Sequence, residues 1–378
     1  MNQSAQAVSG LDQAILDFIG HGTEHNDEQE FNRLALAAFE LQYNHIPLYR
    51  HYCQSQGITP DVISTWEEVP ALLTDVFKEA DFCLFPFEVS RTFATSGTTN
   101  ANEQGRVSYD AGGLNLMDAT IKRAASELLF PDNIQALILV LAPPPEMAPH
   151  MVMVYGMNRL IDYFGLPGSR FLIQKSGFDA KDLADALSRA TQDGIPVAIC
   201  GGSFGLVNFF DYCTSKGLKF SLPKGSRCLD AGGFKGRSRE VGREEFLDLC
   251  EGILGVRRDY CVNLLGMTEI SSQYYDNTLK NRTKGVEEDR AKVVPPWTRI
   301  MVVDPDTLEP VPDGEVGLLR HFDLANRGHV CAIQTDDLGR IVPGGFEVYG
   351  RARDDGLRGC SLTIDEMTRI IEDRSEGY

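Results

Sequence analysis

The chain has 378 residues, of which 43% are hydrophobic and 24% are charged, as in an ordinary folded globular protein. Lys and Arg number 36 and Asp and Glu number 54, so the net charge is −18. A field of that sign repels nucleic acid and anionic membrane surfaces, which excludes proteins whose main ligand is either of these. The length allows one large domain or two smaller ones.

The sequence predicts a cytoplasmic protein without stable membrane insertion. Neither Lys nor Arg precedes Arg33, so the basic start of a secretory signal is missing. The longest apolar stretch, Ile134 to Pro145, is too short to span a bilayer and ends in three prolines. The nine cysteines are scattered and form no CxxC pair, which is typical of reduced thiols.

Helical and strand patterns alternate along the chain. In order, the predicted elements are a helix at 28–56, a connector rich in Pro and Asp at 57–90, a strand at 90–94, a helix at 114–128, buried strands at 136–142 and 195–200, a helix at 206–215, strands at 260–265 and 299–303, and a helix at 364–371. This alternation favours an α/β fold built on a mostly parallel sheet.

The pattern changes near Asp304 to short strands and turns, which predicts a smaller β-rich part. We therefore expect an α/β core over residues 1–303, a β-rich subdomain over 304–350 and a short tail over 351–378.

A loop of small hydroxyl residues, Thr95-Ser96-Gly97-Thr98-Thr99, directly follows the strand predicted at 90–94. Its central glycine lets backbone amides approach a phosphate closely, and its hydroxyls add donors. By composition alone a plain surface turn is an equally good interpretation. The chain contains neither a Walker loop nor a G-x-G-x-x-G dinucleotide motif.

Two further polar segments follow apolar strands. Gly266-Met267-Thr268-Glu269 presents a hydroxyl and then a carboxylate, which suit a phosphate oxygen and its Mg²⁺. The segment Thr335 to Gly339 contains Asp337, and Arg351 lies fourteen residues beyond that aspartate. A carboxylate can bind two ribose hydroxyls and the arginine can add a contact. Taken singly, each segment is better interpreted as an Asp-Gly turn or a solvated charge cluster.

The order of these segments resembles the acyl-adenylate-forming superfamily, over roughly residues 30 to 365. The likeness is greatest to the acyl-protein synthetases of bacterial bioluminescence and to phenylacetate-CoA-ligase-like enzymes. The short length, the segment Gly232-Gly233-Phe234-Lys235-Gly236 and the segment Arg358-Gly359-Cys360-Ser361-Leu362 point there. The implied fold is that of the N-terminal part of adenylate-forming enzymes: two helix-covered sheet subdomains and a small β-rich one, with the C-terminal domain truncated.

The resemblance also implies roles for individual residues in binding ATP and Mg²⁺. The phosphates would be held by Thr95, Ser96, Gly97, Thr98, Thr99 and Thr268. Glu269 would bind Mg²⁺. The rest of the nucleotide would contact Gly232, Gly233, Gly266, Met267, Asp337 and Arg351. Asn100 and Gln104 replace the glycine and lysine usual in the family's loop, so Arg106 is expected to supply the positive charge.

Cys360 is the predicted acyl acceptor. The large enzymes of the superfamily have a further domain of about a hundred residues, an ordinary size for a small domain. Here 27 residues follow Arg351, so we expect that domain to be absent. In the bioluminescence relatives a cysteine near the C-terminus takes the acyl group, and Arg358 could lower the pKa of such a thiol. A small packed residue is the alternative for Cys360.

The expected reaction is that of a carboxylic acid with ATP, giving acyl-AMP and pyrophosphate, followed by transfer to a thiol. The first choice of substrate is a fatty acid destined for a partner reductase. The second is an aryl or short-chain acid passed to CoA or a carrier protein. A binding protein with a degenerate nucleotide site is a further alternative, since the loop lacks its usual glycine and lysine.

Two other motifs indicate different chemistry. Gly201-Gly202-Ser203-Phe204-Gly205 matches the G-x-S-x-G nucleophile elbow, with His321 or His329 downstream, so a Ser203-dependent hydrolase or acyltransferase is an alternative. His21 to His25 form an H-x-x-E-H pattern, but Gly20 and Gly22 disfavour the helix that a zinc protease needs.

Overall fold

In a computed structural model, the structure describes residues 3–95, 104–232 and 241–352, with side chains from residue 8 onward. These residues form two compact units. Unit 1 takes Met1–Arg123, Met267–Ser272 and Val294–Tyr378, and unit 2 takes Ala124–Gly266 and Gln273–Val293. Each unit is therefore assembled from segments that are far apart in sequence. Within the described ranges, no helix is long and apolar enough to cross a membrane.

The elements are numbered in chain order. Helices α1 to α9 are Gln3–Gly20, Glu28–His45, Pro47–Ser55, Ala111–Ala124, Val152–Phe164, Ala180–Asp193, Ser203–Lys216, Arg243–Leu249 and Thr278–Lys284. Strands β1 to β15 are Leu72–Leu73, Arg91–Ala94, Arg106–Tyr109, Leu137–Leu141, Arg170–Phe171, Ile173–Gln174, Gly177–Phe178, Val197–Gly202, Arg227–Ala231, Cys261–Leu265, Tyr274–Tyr275, Thr298–Val303, Gly317–Asp323, Ala332–Val342 and Gly345–Arg351. Short 3₁₀ and π turns lie at Trp66–Glu68, Thr74–Lys78, Ala125–Leu129, Cys250–Leu254, Arg258–Tyr260 and Leu324–Gly328.

Unit 1 is built on a sheet of order β1-β14-β13-β12, with β15 also paired to β14. Its pairs are antiparallel except for β1 with β14. The strands after Asp304 are 7 to 11 residues long, and β12, which precedes that residue, pairs with β13, which follows it. The rings of Phe31, Trp66 and Phe322 pack edge to face, about 6 Å apart, and join α2 to this sheet.

The helix predicted at 28–56 is two helices, α2 and α3, separated by Ile46. Ile46 has an extended backbone, with φ −106° and ψ 95°, because the residue before a proline avoids the helical region. Pro47 then occupies the first turn of α3, where its missing N–H costs no hydrogen bond. Asp27 begins α2 by accepting a hydrogen bond from the Glu30 amide at 2.9 Å.

Unit 2 is built on a sheet of order β11-β10-β9-β8-β4-β5, parallel except at β11. Helices α6, α7 and α8 contribute apolar side chains to the core that packs on it. Three of its strands confirm the predicted apolar strands: β4, β8 and β10. The helix tail predicted at 364–371 lies outside the described residues.

Strand β9 was not predicted, because its sequence begins with a charged residue. Arg227 is fully buried and pairs with Asp132 at 2.8 and 3.0 Å, and it also donates to the carbonyls of Leu129 and Gly225. These partners satisfy a guanidinium that would otherwise be costly inside the protein. Strand β9 pairs in parallel with β8 and with β10, so the carboxyl ends of these three strands lie side by side at one edge of the sheet.

Candidate active site

The first polar loop connects β2 to β3, which form an antiparallel hairpin in unit 1. At its base the Thr95 amide donates to the Gly105 carbonyl at 2.9 Å, and the Gly105 amide donates to Thr95 Oγ1 at 2.9 Å. The strand predicted before the loop is confirmed. Four of the loop residues assigned to phosphate, Ser96, Gly97, Thr98 and Thr99, lie outside the described residues.

Gly105 allows the hairpin to close against the 3₁₀ turn at Thr74–Lys78. A Cβ atom at this position would lie 3.1 Å from Thr95 Cγ2 and 3.3 Å from the Phe77 carbonyl, closer than ordinary packing. The sequence analysis did not identify this glycine, because its constraint comes from a segment that is distant in sequence. Arg106 follows it, exposed and in register with Ala94, and its role toward phosphate stays a prediction.

The turn that carries Thr268 and Glu269 lies against the same hairpin. Thr268 Oγ1 donates to the Ala94 carbonyl at 3.4 Å, one residue before the loop begins. The Glu269 carbonyl accepts from Asn326 Nδ2 at 2.9 Å and from His329 Nε2 at 3.2 Å. The structure therefore brings the first two predicted motifs together within unit 1.

The residues that hold this turn, Asn326 and His329, were not predicted to do so. His329 is fully buried, and burial lowers its pKa to about 4. It is neutral at physiological pH, and its Nε2–H donates to the main-chain carbonyl of Glu269. Both residues belong to the segment after β13, and neither lies in a recognisable sequence motif.

Glu269 is a buried carboxyl group in an unfavourable environment for a negative charge. Its residue is 7% exposed, and burial raises its pKa to about 7. The nearby carboxylates of Asp75 and Asp336 raise it further, whereas Arg351 opposes them. A hard cation would compensate this charge, and carboxylate and hydroxyl oxygens are the ligands that Mg²⁺ prefers. The residues present therefore fit a Mg²⁺ ion at Glu269.

Asp337 and Arg351 face each other across β14 and β15, as their proposed shared role requires. Arg351 Nε lies 3.8 Å from Asp337 Oδ1 and 3.7 Å from Asp336 Oδ1. The arginine side chain is 73% exposed, so this pair adds little stability and is accessible to a ligand. Contact of either residue with ribose stays a prediction.

The predicted nucleotide glycines of unit 2 lie at the carboxyl edge of its parallel sheet. Gly232 follows β9 with φ +69°, a conformation that favours glycine, and Gly266 follows β10; both are exposed. Ligands of parallel α/β sheets bind at this edge. Gly233 lies outside the described residues, and Met267 is half-buried in unit 1.

A known family matches nearly the whole chain. The family model described as "Acyl-protein synthetase, LuxE" matches residues 1–368. The chain belongs to the acyl-protein synthetase family. It is 22% identical over 349 residues to a long-chain-fatty-acid–luciferin-component ligase of Vibrio harveyi, covering 90% of this chain and 88% of the relative. The enzyme of the same name from Aliivibrio fischeri is 22% identical over 353 residues, with the same two coverages.

Solved structures of adenylate-forming enzymes share the fold of this chain. An open conformation of 2-hydroxyisobutyryl-CoA ligase, in complex with 2-HIB-AMP and CoA, superposes with a TM-score of 0.63 at 15% identity. The match covers 88% of this chain and 72% of that one. The same ligase in its postadenylation state gives a TM-score of 0.64 at 13% identity, covering 87% and 69%. The predicted α/β fold of adenylate-forming enzymes is confirmed.

Ser203 makes contacts that do not fit a hydrolase nucleophile. It begins α7, as the elbow motif predicts, and is 4% exposed. Its Oγ lies 3.1 Å from Asp230 Oδ2 and 2.9 Å from the Gly232 carbonyl. A hydroxyl that donates to such acceptors is not activated by an imidazole base.

The two histidines predicted as possible partners of Ser203, His321 and His329, are buried inside the protein. Burial lowers the pKa of His321 to about 3, and His329 is engaged with Glu269 as described above. The H-x-x-E-H pattern begins one residue after α1 ends at Gly20 and is not helical, with the His21 and His25 rings 4.4 Å apart. The helical geometry of a zinc protease is therefore not formed.

The eight described cysteines are free and buried: Cys53, Cys83, Cys200, Cys213, Cys228, Cys250, Cys261 and Cys331. Burial raises the pKa of Cys53 to about 12 and that of Cys83 to about 11. The sulfur atoms of Cys228, Cys250 and Cys261 lie within 4.8 Å of one another in the apolar core of unit 2. Free buried thiols in such surroundings pack as small hydrophobic residues. Cys360 lies outside the described residues.

Proposed function

We propose that this protein activates a long-chain fatty acid with ATP as acyl-AMP and then transfers the acyl group to its own Cys360 for a partner reductase in the cytoplasm. The observation that carries the adenylation step is the buried carboxyl of Glu269, whose neighbour Thr268 donates to the Ala94 carbonyl just before the loop that begins at Thr95. The names of the Vibrio harveyi and Aliivibrio fischeri relatives support the substrate class.

In the first step a carboxylate oxygen of the acid attacks the α-phosphorus of ATP. The new P–O bond forms as the bond to pyrophosphate breaks. Amides and hydroxyls of the loop after β2 would donate to the phosphates, with Thr268 and Arg106 adding a hydroxyl and a positive charge. Mg²⁺ held by Glu269 would offset phosphate charge. Asp337 and Arg351 would hold the ribose.

In the second step the Cys360 thiolate attacks the acyl carbon, AMP leaves, and a thioester remains on the protein. The burial of the eight described thiols supports this assignment, because a buried thiol can reach neither ATP nor a mobile acyl group. The family resemblance supplies the position of the acceptor. A reductase would then consume the acyl group.

An acid-dependent ATP–pyrophosphate exchange assay tests the first step. Exchange should require Mg²⁺ and should rise from short to long acyl chains. Labelled acid should then remain on the protein as a hydroxylamine-sensitive adduct. Preference for aryl or short acids, with prompt transfer to added CoA and no protein adduct, would favour the CoA-ligase alternative. Absence of exchange with every acid would refute the adenylation.

A further inference from the structure

The motif around Ser203 belongs to a buried polar network at the carboxyl edge of the sheet in unit 2. Asp230, the penultimate residue of β9, is its centre and is 3% exposed. Its Oδ2 accepts from Ser203 Oγ at 3.1 Å and from Asn263 Nδ2 at 2.8 Å. Its Oδ1 accepts from Arg243 Nη1 at 2.7 Å. Asp230 therefore links the start of α7, β10 and α8 to β9.

A second carboxylate anchors the same network from the other side of Asn263. Asp276 Oδ2 accepts from the Asn263 amide at 2.9 Å and from Arg290 Nη1 at 2.5 Å. Lys292, which is 8% exposed, donates to Asp276 Oδ1 and to both oxygens of Asn263, at 2.5 to 2.8 Å. Every ammonium proton of Lys292 thus has an acceptor. Arg243 Nε has no hydrogen-bond partner within the described residues, but the other bonds of the network hold its side chains in fixed positions.

The network ends on the backbone of Gly232. Ser203 Oγ lies 2.9 Å from the carbonyl oxygen of Gly232, the exposed residue that directly follows β9. The single proton of the hydroxyl is shared between Asp230 Oδ2 and the Gly232 carbonyl, so Ser203 links Gly232 to the network behind it. Gly232 has φ +69°, and a Cβ atom at this position would meet no atom of the described residues within 4 Å, so the hydrogen bond from Ser203 is a restraint on this residue that side-chain packing does not supply.

We propose that Ser203 is a positioning residue for nucleotide binding, acting through the Gly232 turn and held in place by Asp230. The inference rests on the proposed adenylation and on the contact with the nucleotide that the sequence predicts for Gly232. It gives the G-x-S-x-G motif a role without making Ser203 a nucleophile. A single hydrogen bond is worth a few-fold in an equilibrium, so the loss of Ser203 should weaken ATP binding about fivefold.

Ser203→Ala tests this role, and Ser226→Ala is a matched control. Ser226 is 5% exposed, and its Oγ accepts from the Val197 amide at 3.0 Å, at the amino edge of the same two strands. Each variant removes one buried serine hydroxyl from the same sheet. KM for ATP and kcat are measured by pyrophosphate exchange, and amide hydrogen exchange is measured on the free proteins.

Ser203→Ala should raise KM for ATP about fivefold with little change in kcat, and should speed amide exchange near Gly232. Ser226→Ala should leave KM unchanged and speed exchange near Val197. Equal KM values in both variants, or unchanged exchange near Gly232 in Ser203→Ala, would overturn the positioning role. If the wild type catalyses no pyrophosphate exchange, adenylation fails, while the amide-exchange arm still decides whether Ser203 restrains the turn.

Discussion

Replacement of Glu269 by Gln should separate the role of this residue in metal binding from the effect of its buried charge on the free energy of unfolding. Glu269 has a pKa of about 7 in the folded chain against an ordinary value of 4.5, mainly because it is buried. That difference corresponds to about 3 kcal/mol. Because the folded state binds this proton more tightly than the unfolded state, the associated stability is present below pH 4.5 and is lost as the pH rises through 7.

Glutamine stays neutral, so the variant does not lose this stability. The free energy of unfolding of Glu269→Gln should therefore rise relative to wild type by about 3 kcal/mol between pH 4.5 and pH 8. Urea denaturation in the presence of EDTA measures it. Both tryptophans, Trp66 and Trp297, belong to unit 1, so their fluorescence reports on the unit that contains Glu269.

The same variant should lose pyrophosphate exchange by orders of magnitude, since one metal ligand is gone. Glu315→Gln, which removes an exposed carboxylate, is the control and should change stability equally at both pH values. A stability difference for Glu269→Gln that does not vary with pH would refute the burial argument. Full exchange activity would remove Glu269 from the metal role.

Three further outcomes are expected. Cys360→Ser should form acyl-AMP but retain no hydroxylamine-sensitive acyl group, as measured by mass spectrometry; stable labelling at another thiol would contradict the assignment. Arg106→Ala should raise KM for ATP several-fold, because one cation near the phosphates is lost; an unchanged value would mean that amides and Mg²⁺ suffice. Arg227→Met should lower the free energy of unfolding by about 3 kcal/mol, because Asp132 and two buried carbonyls lose their partner. Ordinary surface substitutions change this free energy by about 0.5 kcal/mol or less. A loss no larger than that would show that water replaces the guanidinium.

Local sequence was enough to predict the elements whose structure depends on neighbouring residues. The apolar runs that became β4, β8 and β10 were read correctly, because a strand buried on both faces needs apolar residues throughout. Helix α6 was missed, although it carried readable signals. Asp179 caps its first turn by accepting from the Lys181 amide, and Gly194 ends it with φ +68°.

The polar loop at Thr95 and the turn at Glu269 were recognisable from sequence, because each needs particular residue types in a fixed order. Their meeting at Ala94 was decided by the tertiary structure, as was the support from Asn326 and His329. Such partners come from distant segments and form no sequence pattern. The tertiary structure also decided the ionisation of Glu269, because its pKa depends on exclusion of water and on charges that the fold brings near it.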